Sequence, residues 1–327
     1  MTAVLNHSSY AETELITYTV TGGAGFIGSH LADALLAKGH RVRILDDFST
    51  GHVHNLDPRC EVVRGDVCDP AAVRRAMVGA SGCFHLAAIA SVVRANEDWM
   101  GTHRVNLGGT VTVLDCARTL GGLPVVYASS AAVYGSQEGV ADEALAVVPR
   151  TAYGVDKLGS EQHAKVGMLV HGVPSVGFRF FNVYGPRQDP SSPYSGVISI
   201  FANEIGAGRP VTLHGDGSQT RDFVFVADVA AHLMAGMRLL ETAPGALVLN
   251  VCTGREISVY DLAVMIGRVS GREPDIRRGA ARVGDIARSV GSPQRATAAL
   301  GVAAGTGLRD GLAATLASLA PRRLERV

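Results

Sequence analysis

One octapeptide narrows what this chain can become more than any other stretch: Thr21-Gly22-Gly23-Ala24-Gly25-Phe26-Ile27-Gly28. An alternating apolar and polar run, Ile16 to Val20, leads into it. An amphipathic run, Phe26 to Lys38, leaves it and stops at Gly39. The order is strand, tight turn, helix. Glycines at 22, 25 and 28 suit three separate needs: a sharp turn, close approach of backbone to a pyrophosphate, and close packing of helix on strand. The pyrophosphate then sits on the free N–H groups at the positive end of the helix. About twenty residues further on, Arg41-Val42-Arg43-Ile44-Leu45-Asp46 reads as a second strand ending in an acid, the position that binds a ribose diol. Asp46 would repel a 2′-phosphate, so the expected cofactor is NAD rather than NADP.

Composition adds limits. A chain of 327 residues is long for one core, so two lobes are expected. Hydrophobic residues make up 47% and charged residues 18%, a globular balance. Thirty basic residues offset thirty acidic ones, which implies no basic face for nucleic acid and no polybasic membrane anchor. No apolar run approaches the roughly 20 residues that span a bilayer. The first residues lack the basic and apolar order of a secretory signal, so a cytoplasmic protein is expected. Five scattered cysteines, at 60, 68, 83, 116 and 252, argue against a disulfide framework and a zinc site. No metal is called for.

Further along, Glu61 to Asp66, Gly82 to Ala88 and Pro124 to Ala128 read as strands. Pro70 to Val78 and Arg104 to Leu120 read as helices. Alternation of this kind predicts an α/β fold, a doubly wound parallel sheet with ligands at the carboxyl ends of its strands. The chemistry begins at Ser129-Ser130-Ala131-Ala132-Val133-Tyr134-Gly135 and continues at Tyr153-Gly154-Val155-Asp156-Lys157. Tyrosine and lysine four apart share one helix face. A free phenol, with a pKa near 10, is no base at neutral pH, but an adjacent ammonium and a nicotinamide cation favour the phenolate. Ser130 would orient a substrate alcohol for proton loss while hydride leaves the same carbon.

With TGGAGFIGSH, ILDDFSTG, GDVCDP, HLAA, NLGGT, SSAAVYG, YGVDK, RFFNVYGPRQDP, GDGSQTRDFVFVADVA, NVCTG and RVGDIARS, the chain resembles nearly end to end the extended short-chain dehydrogenase/reductases, and among them the nucleotide-sugar C4 epimerases. The resemblance implies a Rossmann sheet with a smaller, interleaved C-terminal substrate domain. It implies Ser130, Tyr153 and Lys157 as the catalytic set, with Lys157 also on the nicotinamide ribose. Cofactor contacts would come from Gly22, Gly25, Phe26, Ile27, Gly28, Asp46, Asp66, Val67, Leu86, Ala87 and Ala88, with Asn106 near the cofactor side. On the substrate side, Asn182, Arg221, Arg282 and Asp285 would hold a UDP-sugar. Ser289 would stand beside the sugar C2 substituent, and Arg187 would be within reach of a C6 carboxylate.

The same resemblance implies a homodimer through the helices at about 104–120 and 153–170. It divides the chain into an N-terminal extension at 1–14 expected to be flexible, an NAD-binding part at 15–181 with about 223–257, and a substrate part at 182–222 with 258–327. Asp228 and Asn250 are expected to cap or pin backbone. Two departures stand out: Ile89 follows HLAA where glutamine is common, and Ser289 to Pro293 lacks the aspartate usual after RxGD. A 4,6-dehydratase or decarboxylase shares the first oxidation, but a dehydratase of this kind carries Asp-Glu where this chain has Ala131-Ala132. A non-catalytic NAD sensor on the same fold usually loses the tyrosine or lysine, and both are present.

Overall fold

The computed structural model describes residues 16–190, 196–281 and 286–319; the 1–14 extension lies outside them. In chain order the elements are β1 (Thr17–Thr21), α1 (Phe26–Ala37), β2 (Arg41–Asp46), β3 (Glu61–Arg64), α2 (Pro70–Met77), β4 (Gly82–His85), α3 (Val92–Glu97), α4 (Trp99–His103), α5 (Gly109–Thr119), β5 (Val125–Ser130), α6 (Ala152–His171), β6 (Ser175–Phe180), β7 (Asn182–Tyr184), α7 (Val197–Gly206), β8 (Val211–His214), β9 (Thr220–Phe225), α8 (Val226–Thr242), β10 (Ala246–Val251), β11 (Glu256–Ser258), α9 (Val259–Ser270), β12 (Ile276–Gly279), β13 (Arg288–Ser289), α10 (Gln294–Leu300) and α11 (Leu308–Leu319).

Because the strands alternate with helices, neighbouring strands run parallel, and seven of them form one sheet in the order β10-β6-β5-β4-β1-β2-β3. The order reverses between β1 and β4, so the crevice above their carboxyl ends is the natural ligand site. Both faces are covered. On one, Leu31 and Leu35 of α1 and Leu233 and Met237 of α8 pack with Val20, Phe84 and Phe178 of the strands. On the other, Val73 and Met77 of α2, Val113 and Ala117 of α5 and Ala164 of α6 do the same. This is the doubly wound parallel sheet expected from the alternation.

A smaller lobe is built on β9, which pairs in parallel with β7 and β13 and antiparallel with β11. Its core gathers Tyr184, Phe201, Ile205, Leu262, Ile266 and Leu312 from four segments. The lobes interleave: β10 lies at the edge of the large sheet, β11 returns to the small one, and Ala296 of α10 is buried in the large-lobe core.

Several elements differ from the sequence expectation: β3 ends at Arg64 and β4 at His85, short of Asp66 and Ala88. β5 extends through Ser130 rather than stopping at 128, because its ladder with β6 continues as Ser129↔Arg179 and Ser130↔Phe180. The helix expected over 104–120 is interrupted by a wider π turn, Arg104–Gly108. Thr110 donates its hydroxyl to the Asn106 carbonyl at 2.7 Å, and Asn106 itself is turned inward and fully buried. Apolar periodicity carries no trace of such a local widening.

Leu233, fully buried between α8 and the sheet, gives a direct measure of this packing. Leu233→Ala should cost about 2–5 kcal/mol, read as a lower denaturant midpoint at an unchanged slope.

Candidate active site

The turn after β1 is tight because its glycines leave no room for anything else. Gly22 has φ +68°, and a Cβ there would lie 2.7 Å from the Ala87 amide nitrogen. A Cβ on Gly28 would run into the Gly22 carbonyl oxygen. α1 therefore starts close to the turn, with extended Gly25 as its cap and no side chain capping its first amides. Those amides face the crevice as an anion site.

Asp46 ends β2 almost buried. Its Oδ2 accepts from the Ala24 amide and its Oδ1 from the Phe48 amide, each at 2.9 Å. Burial raises the Asp46 pKa and the two amides hold it down. Each carboxylate oxygen keeps a second lone pair, so Asp46 braces the glycine turn and can still accept from a further donor. These residues fit a dinucleotide.

The other wall of the crevice is the segment after β4. The Leu86 and Ala87 amides both donate to Thr21 Oγ1 at 3.2 Å. Asn106 reads the backbone of Ile89 at two points, accepting from its amide at 2.8 Å and donating to its carbonyl at 3.2 Å. Asn106 thus shapes the Leu86-Ala87-Ala88 segment from behind. Past the end of β3, Asp66 accepts from the Cys68 amide at 2.8 Å and pairs with Arg104 at 3.1 Å. Val67 lies against Gly109, where a Cβ would sit 2.6 Å from its methyl.

A buried polar chain, not anticipated from the sequence, links these walls. Thr110 spends its one hydrogen on Asn106, so toward His85 Nε2, 3.1 Å away, it can only accept. His85 then carries its proton on Nε2 and accepts at Nδ1 from Thr21 Oγ1 at 2.8 Å. Burial pushes the His85 pKa down to about 3, which keeps the ring neutral.

The reactive trio assembles at the ends of β5 and α6. Thr151 caps α6 by accepting from the Gly154 amide, which sets the rotation of the first turn. Tyr153 and Lys157 then lie one turn apart, with the ammonium 5.7 Å from the phenol ring centroid. Lys157 is 3% exposed and donates to the Ala128 carbonyl at 2.9 Å. Its pKa is pushed down to about 8, burial lowering it and neighbouring Asp156 opposing. The Tyr153 pKa is raised by burial and drawn back by a hydrogen bond with Ser130. Asp156 is itself buried and holds His103 Nδ1 at 2.7 Å.

The substrate-side residues are less uniformly gathered. Asn182 opens β7, and Arg221 and Ser289 are register partners across β9 and β13. Arg221 donates to the Thr220 and Ile286 carbonyls at 2.8 and 2.6 Å. Ser289 is nearly buried. Arg187, expected within reach of a sugar carboxylate, stands at φ +66° with its guanidinium on Asp33 of α1 at 2.7 Å. Beside it, His30 of α1 meets the Pro186 carbonyl at 2.9 Å. Arg282 and Asp285 lie outside the described residues.

Asp222, next to Arg221, was not singled out from the sequence. Fully buried, it accepts from the Thr253 amide and hydroxyl at 2.9 and 2.6 Å and from the Gly254 amide at 2.9 Å, tying β9 to the loop after β10. Asn250 and Asp228 pin backbone as expected: Asn250 donates to the Ala141 carbonyl, and Asp228 accepts from the Thr306 amide. Among the described residues there is no cluster of three potential metal ligands and no helix long and apolar enough to cross a membrane.

The model of the NAD dependent epimerase/dehydratase family matches residues 18–252. A UDP-glucose 4-epimerase of Mycolicibacterium smegmatis is 37% identical over 306 residues, covering 91% of this chain and 96% of that one. The crystal structure of the Thermus thermophilus UDP-glucose 4-epimerase in complex with NAD superposes with a TM-score of 0.85 at 34% identity, covering 93% and 99%. That of the Bacillus cereus UDP-glucuronic acid 4-epimerase with UDP-glucuronic acid and NAD gives 0.84 at 28% identity, covering 93% and 99%.

Gly28→Ala should weaken NAD binding by at least about tenfold, or about 1.4 kcal/mol, in titration calorimetry of the folded protein. Asp46→Ala should weaken NAD and narrow its advantage over NADP in the same titration.

Proposed function

The chain belongs to the NAD-dependent epimerase/dehydratase family, and we propose that within it the protein is a 4-epimerase of a UDP-hexose working through a transient 4-keto sugar. The observation that carries this reading is that, at the carboxyl end of β5, Tyr153 meets both Ser130, through a hydrogen bond, and buried Lys157, whose ammonium is 5.7 Å from its ring centroid. Bound NAD would take hydride from sugar carbon 4 and return it to the opposite face. Tyr153 accepts the proton of the 4-hydroxyl and gives it back after the ketone has turned. Lys157, held as an ammonium, stabilises the phenolate, and Ser130 orients the sugar oxygen. Arg221, with Arg282, anchors the diphosphate while the sugar rotates, since a planar fork binds two oxygens at once.

The residues just past Ser130 speak against dehydration. They form a short 3-10 turn, Ala131–Tyr134, with alanine at its first two positions, which supply no acid or base for carbons 5 and 6. Sugar choice turns on two places. Ser289 leaves room for a large C2 substituent, so glucose, N-acetylglucosamine and glucuronate forms all fit the reading. Arg187 must leave Asp33 before it can meet a uronate carboxylate. A homodimer through α5 and α6 is part of the reading, supported by the exposed apolar stripe of Val155, Val166, Leu169 and Val170 on α6.

Incubation of the protein as purified, without added NAD, with UDP-glucose, UDP-N-acetylglucosamine and UDP-glucuronate should yield a C4 epimer of at least one. Absence of any epimer would overturn the reading. Tyr153→Phe should keep the fold and lower turnover by roughly 10² or more; wild-type turnover there would remove Tyr153 from its role. Ser289→Tyr should selectively exclude the N-acetyl sugar, and Arg187→Ala should selectively harm the uronate. An unchanged ranking of the three sugars in both variants would refute the pocket assignment and leave the epimerase reading intact.

A further inference from the structure

One row of side chains crosses the sheet just beneath the reactive trio. Ser129 of β5, Arg179 of β6 and Asn250 of β10 are register partners on adjacent parallel strands, so they project from the same face. All are nearly or fully buried, as is Glu161 of α6, which lies above them. Ser129 donates to Glu161 Oε1 at 2.5 Å. Arg179 grips both carboxylate oxygens of Glu161, from Nε at 2.9 Å and from Nη2 at 2.7 Å. The guanidinium lies 4.8 Å from the Tyr134 ring centroid, and the Tyr134 hydroxyl donates to Asn250 Oδ1 at 2.7 Å. One polar cluster thus joins three strands, the catalytic helix and the turn after Ser130.

Stability does not account for such a cluster. Taking both charges out of water costs several kcal/mol per ion, and replacing a buried pair by well-packed apolar side chains is often neutral or stabilising. What apolar packing lacks is direction. A bidentate arginine–carboxylate pair fixes distance and angle together. Here the fixed points matter: Glu161 sits one turn beyond Lys157 and two turns beyond Tyr153 on α6, while Ser129 immediately precedes Ser130.

We propose that Glu161 and Arg179 are positioning residues that lock α6 in height and rotation against β5, and so hold Tyr153 in register with Ser130 for proton transfer. This rests on the epimerase reading for the identity of the step, though not for the geometry. The lock acts on the reactive face of α6, away from the residues assigned to UDP, so its loss should appear in kcat and not in KM for the UDP-sugar. A misplacement on the order of 1 Å costs about 10²-fold in rate.

The test is the double variant Glu161→Leu/Arg179→Met, which keeps volume and removes direction. It should melt close to the wild-type temperature, with KM for the UDP-sugar within about threefold and kcat lower by about 10–100-fold. A kcat within about twofold of wild type would overturn the proposal. Should the double variant fail to fold, Ser129→Ala carries the test, since it removes one hydroxyl: kcat should fall roughly fivefold at unchanged KM, the equivalent of one buried hydrogen bond of about 1 kcal/mol, and a wild-type kcat would overturn the proposal. A wild type inactive on every UDP-sugar would instead bring down the epimerase reading. The positioning would then be read from the 19F signal of fluorotyrosine-labelled protein, assigned by Tyr153→Phe. The Tyr153 resonance and its titration midpoint should move in the double variant and in Ser129→Ala, and an unmoved signal would refute the lock.

Discussion

Everything in this molecule is arranged around a place where backbone meets backbone with no side chain between. The turn after β1 passes so near the Ala87 amide, and α1 starts so near the Gly22 carbonyl, that a single methyl group would separate them. Closeness of this kind aligns the first amides of α1 toward the crevice and lets Thr21 bind the Leu86 and Ala87 amides. From there the constraint spreads through His85 and Thr110 to the π turn, and through Asp46 to the second strand. The glycine turn, the segment after β4 and the π turn are held by one continuous set of hydrogen bonds.

The smaller lobe obeys a different logic. It has its own apolar core, yet its central strand is tied back to the large lobe by a buried carboxylate, Asp222, whose oxygens are taken up by backbone and hydroxyl donors of the loop after β10. The charge is held by dipoles instead of a counter-ion, which gives a junction that is rigid without a salt bridge. Arg221, beside it on the same strand, inherits that rigidity.

Much of this was legible in the sequence, for reasons that can be named. Strands β1 to β4, helices α1 and α2 and the parallel sheet follow from apolar periodicity, from glycine placement and from Pro70 behind the capping Asp69. The resemblance supplied the trio, and the structure brings Ser130, Tyr153 and Lys157 together. What the sequence hid are contacts between distant segments. Asp222 finds partners about thirty residues away, and His85 lies between Thr21 and Thr110. The π turn at Arg104–Gly108 answers to a tertiary demand, the reach of Asn106 to Ile89, that no local pattern announces. The resemblance puts Arg187 within reach of a sugar carboxylate. What the sequence does not show is its left-handed backbone and its ion pair with Asp33.

Helix α1 carries more than its amino end. One turn inside it, His30 holds the Pro186 carbonyl, and a turn further Asp33 holds Arg187, both on the segment beyond Asn182. The helix that opens on the glycine turn therefore also holds the segment that follows β7. With its partners about one-third exposed, the ion pair is a light latch, worth no more than about 1 kcal/mol. Thermal motion can lift it without melting either lobe. Because His30 and Asp33 lie a turn apart on α1 and hold neighbouring residues beyond β7, that segment and the helix cannot shift independently.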